Sequence, residues 1–130
     1  SGLLGISGVS KDVRVIEGRA KKGNERCKLA LEMFCYRVAK YIGSYAVALG
    51  KVDAIVFSAG IGENSASMRK KICDYLKILG VKLDSRKNKK AVKKEMAIQS
   101  KSSKIKVLVI PTNEELMIAM EAARVIGAQK

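Results

Sequence analysis

Two short apolar runs rich in β-branched residues limit what this chain can fold into. They are Asp53–Ser58 (DAIVFS) and Ile105–Ile110 (IKVLVI), and each is bounded by turn formers and followed by a segment of helical period. Runs of that length suit strands buried on both faces. Gly60 and Gly62 break the first run, and Pro111 ends the second. Ahead of the first strand lies a long helical pattern. Asn24 is placed to cap it, and Leu31, Phe34, Val38, Tyr41, Ile42 and Tyr45 recur at spacings of three and four, with Gly50 as the stop. After the glycine turn, Asn64 or Ser65 caps a second helix with apolar positions Met68, Ile72, Tyr75, Leu76 and Leu79, stopped by Gly80. Val81–Asp84 suits a short strand. Thr112 or Asn113 caps a last helix, with Glu114 and Glu115 in its first turn. Strands alternating with helices predict a parallel α/β arrangement, a layered sheet with flanking helices. Lys11 to Lys22, mixing charge and glycine, reads as turns and loop.

Composition excludes several classes. The chain has 130 residues, 48% of them hydrophobic, which is enough for one domain or a large part of one and argues against disorder. No apolar run reaches the roughly 18–20 residues of a membrane span, and no signal-peptide pattern opens the chain. A cytoplasmic protein is the expectation. The chain begins abruptly on glycine-rich, apolar Ser1–Gly8 without a methionine, which suggests a piece of something longer. Histidine is absent, so Ser-His-Asp triads and His-containing metal sites cannot be built from this chain alone. Cys27, Cys35 and Cys73 lack CxxC spacing and read as buried thiols.

The net charge of +14 favours anionic partners. Much of it sits in residues 85–106, with nine Lys and Arg against the single acid Glu95. This stretch reads as a basic surface loop with room for one helical turn. Nucleic-acid or polyanion binding is the functional alternative, but the stretch has no aromatic residue on which bases could stack.

Three places could hold chemistry. Ser58–Asn64 (SAGIGEN) lies at the carboxyl end of a predicted strand, where ligands of open α/β sheets bind. Its glycines allow close approach of backbone, and the next helix offers free N–H groups to phosphate. It is neither GxGxxG nor a P-loop, and an ordinary tight turn would look the same. Pro111–Glu115 (PTNEE) ends the other strand. Its two carboxylates could organise Mg²⁺ or could simply cap a helix. Asp12 and Arg14 could face one way from an extended segment, the acid toward a ribose hydroxyl and the guanidinium toward phosphate, or could be plain surface charge.

Taken together, SGLLGISG…DVR, VDAIVFSAGIGENS…R and VLVIPTNEEL, with GVKLDSRKN between the last two, resemble the C-terminal third of acetate kinases. The resemblance runs over nearly the whole chain, and the ordered pair GIGENS and PTNEEL is specific. It implies a ribonuclease-H-like portion of the sugar kinase, Hsp70 and actin superfamily, with residues 1–130 as a C-terminal nucleotide-binding part. It implies reversible transfer of the γ-phosphoryl group of ATP to acetate, with ATP or ADP as substrate, Mg²⁺ as cofactor, and a homodimer formed through C-terminal domains. Residue by residue, Asp12 and Arg14 match the segment at the adenosine side of the nucleotide. Gly60, Ile61, Gly62, Glu63 and Asn64 match the nucleotide-binding turn. Glu114 matches the magnesium-associated glutamate, with Glu115 beside it. The family's catalytic asparagine, arginines, aspartate and histidines lie upstream, so no catalytic residue is assigned here and the isolated segment is expected to be inactive. Nucleic acid and membrane are not expected as partners. A propionate or butyrate kinase is the sister alternative, because the acyl pocket is built elsewhere.

Overall fold

The computed structural model describes residues 2–10 and 12–112. The predicted final helix, Glu114 and Glu115 lie outside the described residues. Three helices come first: α1 (Gly2–Ser7), α2 (Val13–Lys21) and α3 (Glu25–Leu49). Then follow strand β1 (Ala54–Phe57), the short helical turn α4 (Ala59–Asn64), helix α5 (Ala66–Asp74), a 3-10 turn at Lys77–Leu79, helix α6 (Ser85–Lys90), and strands β2 (Met96–Ala97) and β3 (Lys106–Val109).

α3 forms where its period and caps place it. The Asn24 side chain accepts a hydrogen bond from the Cys27 amide at 3.0 Å, satisfying one orphan donor of the first turn. Gly50 closes the helix in the left-handed region at φ 73°, donating its N–H to Ala46. The buried stripe is Cys27, Ala30, Leu31, Cys35 and Ala39, so small residues make up all of the inner face but Leu31, and α1, α2 and α5 pack on this helix. Phe34, Val38 and Ile42 pack at its margin, whereas Tyr41 and Tyr45 are exposed.

The segment expected as loop between Lys11 and Lys22 is helical instead. Asp12 caps α2, and Val13, Ile16 and Ala20, spaced three and four apart, turn inward against α3. Ile16 is completely buried, which contributes about 1.5–3 kcal/mol by removing its side chain from water. That apolar spacing outweighs the glycine and the charges that suggested a loop.

The sheet has order β1-β3-β2. β1 and β3 are parallel, with Ile55 opposite Val107 and Phe57 opposite Val109, and β2 is antiparallel to β3. These four side chains are all buried on one face. The other face of β1 differs from the expectation of burial on both sides: Ala54 and Val56 are exposed, because no described element covers them. Val81–Asp84 forms only a single bridge, Leu83 to Gln99.

The basic stretch 85–106 is more structured than a surface loop. It holds α6, capped by the Asp84 carboxylate on the Lys87 amide at 3.0 Å, and β2, while Ile98 and Ile105 are buried. All three cysteines are buried and free. Burial pushes the Cys35 thiol up to about 11 and the Cys73 thiol up to about 12. They are packing residues with little thiolate. Among the described residues no helix is long and apolar enough to cross a membrane.

Candidate functional site

The parallel pairing of β1 and β3 brings the two predicted motifs to one end of the sheet. After β3 the ladder makes one more bond, from the Ile110 amide to the Phe57 carbonyl at 2.9 Å. Pro111 offers no N–H. The next donor, the Thr112 amide, is taken by Glu63 Oε2 at 2.9 Å, so the glycine turn reaches across to the chain leaving β3.

The turn itself is an irregular backbone held by side chains. Ala59 stands at φ 55°, and Gly60 at φ 38°, ψ −109°, a conformation that only glycine tolerates well. Asn64 Nδ2 donates to the Gly60 carbonyl at 2.9 Å and closes the loop on itself. From behind, Arg69 Nη1 donates to the Gly62 carbonyl at 3.0 Å. The two glycines therefore have different jobs. A side chain at Gly60 would meet nothing within 4 Å, so this position is open to a ligand. A Cβ at Gly62 would lie 3.4 Å from the Phe57 carbonyl carbon, in van der Waals contact with the strand end, so Gly62 faces the fold and not the cleft.

Facing this turn is the start of α2. Asp12 Oδ1 accepts the Arg14 amide at 2.9 Å, and the Arg14 guanidinium returns as a fork, Nε to Oδ1 at 3.3 Å and Nη2 to Oδ2 at 3.0 Å. The guanidinium, then the capped amide, hold the Asp12 carboxyl below the usual carboxylate range. One turn further on, Glu17 Oε1 accepts from the Ser65 hydroxyl at 2.8 Å, tying α2 to the N-cap of α5.

Between the two walls lies a cleft of about 520 Å³, lined by Asp12, Val13, Arg14, Glu17, Gly60, Ile61, Asn64 and Ser65. Its size suits a small-molecule site. Of the predicted residues, Asp12, Arg14, Gly60, Ile61 and Asn64 meet in it. Gly62 and Glu63 do not line it and instead brace the turn. Glu17 and Ser65 are cleft residues that the sequence reading missed; recognising α2 as a helix would have placed Glu17 one turn from Val13 and Arg14. The lining has two carboxylates and one guanidinium, so it is no simple anion trap. Carboxylates accept hydrogen bonds from sugar hydroxyls, while anionic phosphate is better matched to backbone N–H groups of the turn.

Arg69 is a second residue whose role only the structure reveals. It is completely buried. Besides Gly62, its guanidinium reaches Asn88 Oδ1 at 2.8 Å, the Asn88 carbonyl at 2.7 Å and the Ala91 carbonyl at 2.9 Å. Burial lowers its pKa, and the neighbouring Cys73 offsets that only in part. Among the described residues no group of three or more His, Cys, Asp or Glu side chains is placed to hold a metal ion.

Comparison with known proteins adds an independent finding. The acetokinase family matches residues 1–120. The acetate kinase of Carboxydothermus hydrogenoformans is 60% identical over 126 residues, which is 97% of this chain and 31% of that protein. The crystal structure of Porphyromonas gingivalis acetate kinase superposes with a TM-score of 0.88 at 47% identity, over 97% of this chain and 32% of that one. A propionate kinase from Francisella tularensis gives a TM-score of 0.83 at 48% identity, covering 93% of this chain and 30% of that one. The chain thus spans about a third of the length of the relatives it matches.

Proposed function

Because the chain belongs to the acetokinase family, we propose that it is the C-terminal nucleotide-binding portion of an acetate kinase, a cytoplasmic enzyme that reversibly moves the γ-phosphoryl group of ATP to acetate. The observation that carries this reading is the convergence of Asp12, Arg14, Gly60, Ile61 and Asn64 on one cleft. Asp12 and Arg14 contact the adenosine side, and the turn offers its backbone to the phosphates. Its layered sheet is read as part of a ribonuclease-H-like domain, with residues 1–130 as one nucleotide-binding unit and 85–106 as its basic surface.

Phosphoryl transfer depends on positioning and on neutralising charge around the moving group. This chain's contribution is to bind and orient the nucleotide from one side. Magnesium bound with the nucleotide neutralises phosphate charge. Glu114 would hold it, which fits an ion that takes one or two carboxylates and keeps several waters. The groups that bind acetate and meet the transferred phosphoryl belong to the other two thirds, so the 130-residue segment alone is inactive in this reading. In the full-length enzyme, Glu114→Ala is expected to lower acetate-dependent ATP turnover at least about 100-fold. Turnover by the 130-residue segment above a Glu114→Ala control would contradict the division of labour.

The acyl substrate has a second reading. The propionate kinase and the acetate kinase structures are 48% and 47% identical to this chain, so this segment does not distinguish the two acids. The acetate assignment rests on the acetate kinase relatives. Tyr41, Tyr45 and Leu49, four residues apart on α3, are 54%, 66% and 70% exposed and form an apolar stripe. The stripe supports a homodimer in the full-length enzyme. Sedimentation is expected to give twice the monomer mass, and a monomer at micromolar concentration would remove this part of the proposal.

A further inference from the structure

We propose that Glu63 is a positioning residue, which sets the chain beyond β3 through the Thr112 amide and does not itself touch nucleotide or metal. The inference rests on the acetate kinase reading and deepens it. Glu63 belongs to the turn that the family resemblance assigns to nucleotide, yet its side chain does not line the cleft. Its Oε2 accepts the Thr112 N–H at 2.9 Å, across 49 residues of sequence.

The local chemistry explains why a carboxylate stands there. The last ladder bond runs from the Ile110 amide to Phe57. Pro111 fixes its own φ, and β1 has ended at Phe57, its chain turning away at Ala59 (φ 55°) and Gly60 (φ 38°), so backbone pairing with β1 stops there. Thr112 is therefore the first amide without a sheet partner, and it is half-buried. An unpaired buried amide is costly, and a charged acceptor makes a stronger bond than a neutral one. Glu63 sits near the end of the glycine turn, whose Gly60 and Gly62 carbonyls are held by Asn64 and Arg69. A single side chain thus couples the turn offered to the phosphates with Thr112, which in sequence stands two residues before Glu114. Displacement of a reacting group by about 1 Å can cost about 100-fold in rate.

Positioning and direct ligation give opposite results in one pair of variants. Glutamine keeps an oxygen that can accept the Thr112 amide and loses the charge, while alanine loses the acceptor. In the full-length enzyme, Glu63→Gln is expected to retain at least about ten times the kcat/KM of Glu63→Ala. The alanine variant should need a higher Mg²⁺ concentration for half-maximal rate, with KM for the carboxylate substrate within about threefold of wild type. Amide hydrogen exchange in the peptide containing Thr112 should be faster in Glu63→Ala and close to wild type in Glu63→Gln. Equal losses of kcat/KM in the two variants would overturn the inference, as would unchanged activity in Glu63→Ala. Should the alanine variant not fold, a loss beyond about 100-fold in a Glu63→Gln enzyme of unchanged melting temperature overturns it, and retention of activity with unchanged Thr112 exchange supports it. A wild-type enzyme without carboxylate-dependent turnover would instead overturn the acetate kinase reading, which separates the two failures.

Discussion

Arg69→Met is expected to lower the unfolding free energy by about 3–5 kcal/mol, far more than the loss of any surface ion pair. The methionine would fill much of the space and supply none of the bonds. Gly62, Ala91 and both the carbonyl and Oδ1 of Asn88 would lose a donor together. Each buried acceptor left unmade costs about 1–3 kcal/mol, less whatever water can recover. A domain of this kind has roughly 5–15 kcal/mol of total stability, so the variant should sit near the edge of folding. Lysine is a poor replacement, because one ammonium cannot span four acceptors that a planar fork reaches. Lys70→Met is the control. Lys70 is the exposed neighbour, paired with Asp74 at the surface, and its loss should change stability by about 0.5 kcal/mol at most. Urea unfolding midpoints of the two variants decide the matter. A midpoint for Arg69→Met as close to wild type as that of Lys70→Met would show that the buried network contributes little.

Gly60→Val is expected to weaken binding of magnesium ADP by about 10- to 100-fold. At φ 38° and ψ −109° a β-branched residue is strained by about 1–3 kcal/mol, which is a factor of about 5 to 150 if the strain is relieved by giving up the bound geometry. A Cβ added at Gly60 meets no atom within 4 Å, and the position lines the cleft, so the effect should fall on the ligand site more than on packing. Loss of stability should stay within the same range of about 1–3 kcal/mol, since the strain is not compounded by a clash of the added Cβ. Gly62 is less diagnostic, since it does not line the cleft and a side chain there would contact Phe57 instead.

The long helix, both parallel strands and the glycine turn were legible in the sequence because each has a local signature. α3 has its cap and period, and β1 and β3 are β-branched runs between breakers. Helix α2 was obscured because nine residues give only three inward positions, and Gly18 with four charged side chains fills much of the rest. The cost was the site's second wall: with α2 unseen, Asp12 and Arg14 read as an extended pair, and nothing pointed to Glu17. Asp12 is instead an N-cap whose side chain Arg14 engages. The bracing of the turn was not legible either. Arg69 to Asn88 and Glu63 to Thr112 link residues 19 and 49 apart, and only the packed tertiary structure brings such partners together. The magnesium role expected for Glu114 comes from the family resemblance, and the residue lies outside those described.

The most direct test of the proposed nucleotide site is a calorimetric titration of magnesium ADP into the full-length enzyme, with Gly60→Val run alongside. One site per chain is predicted in the wild type, weakened about 10- to 100-fold in a Gly60→Val protein that still melts cooperatively. Equal affinity in the two proteins would contradict a nucleotide held at the cleft between Asp12 and Asn64.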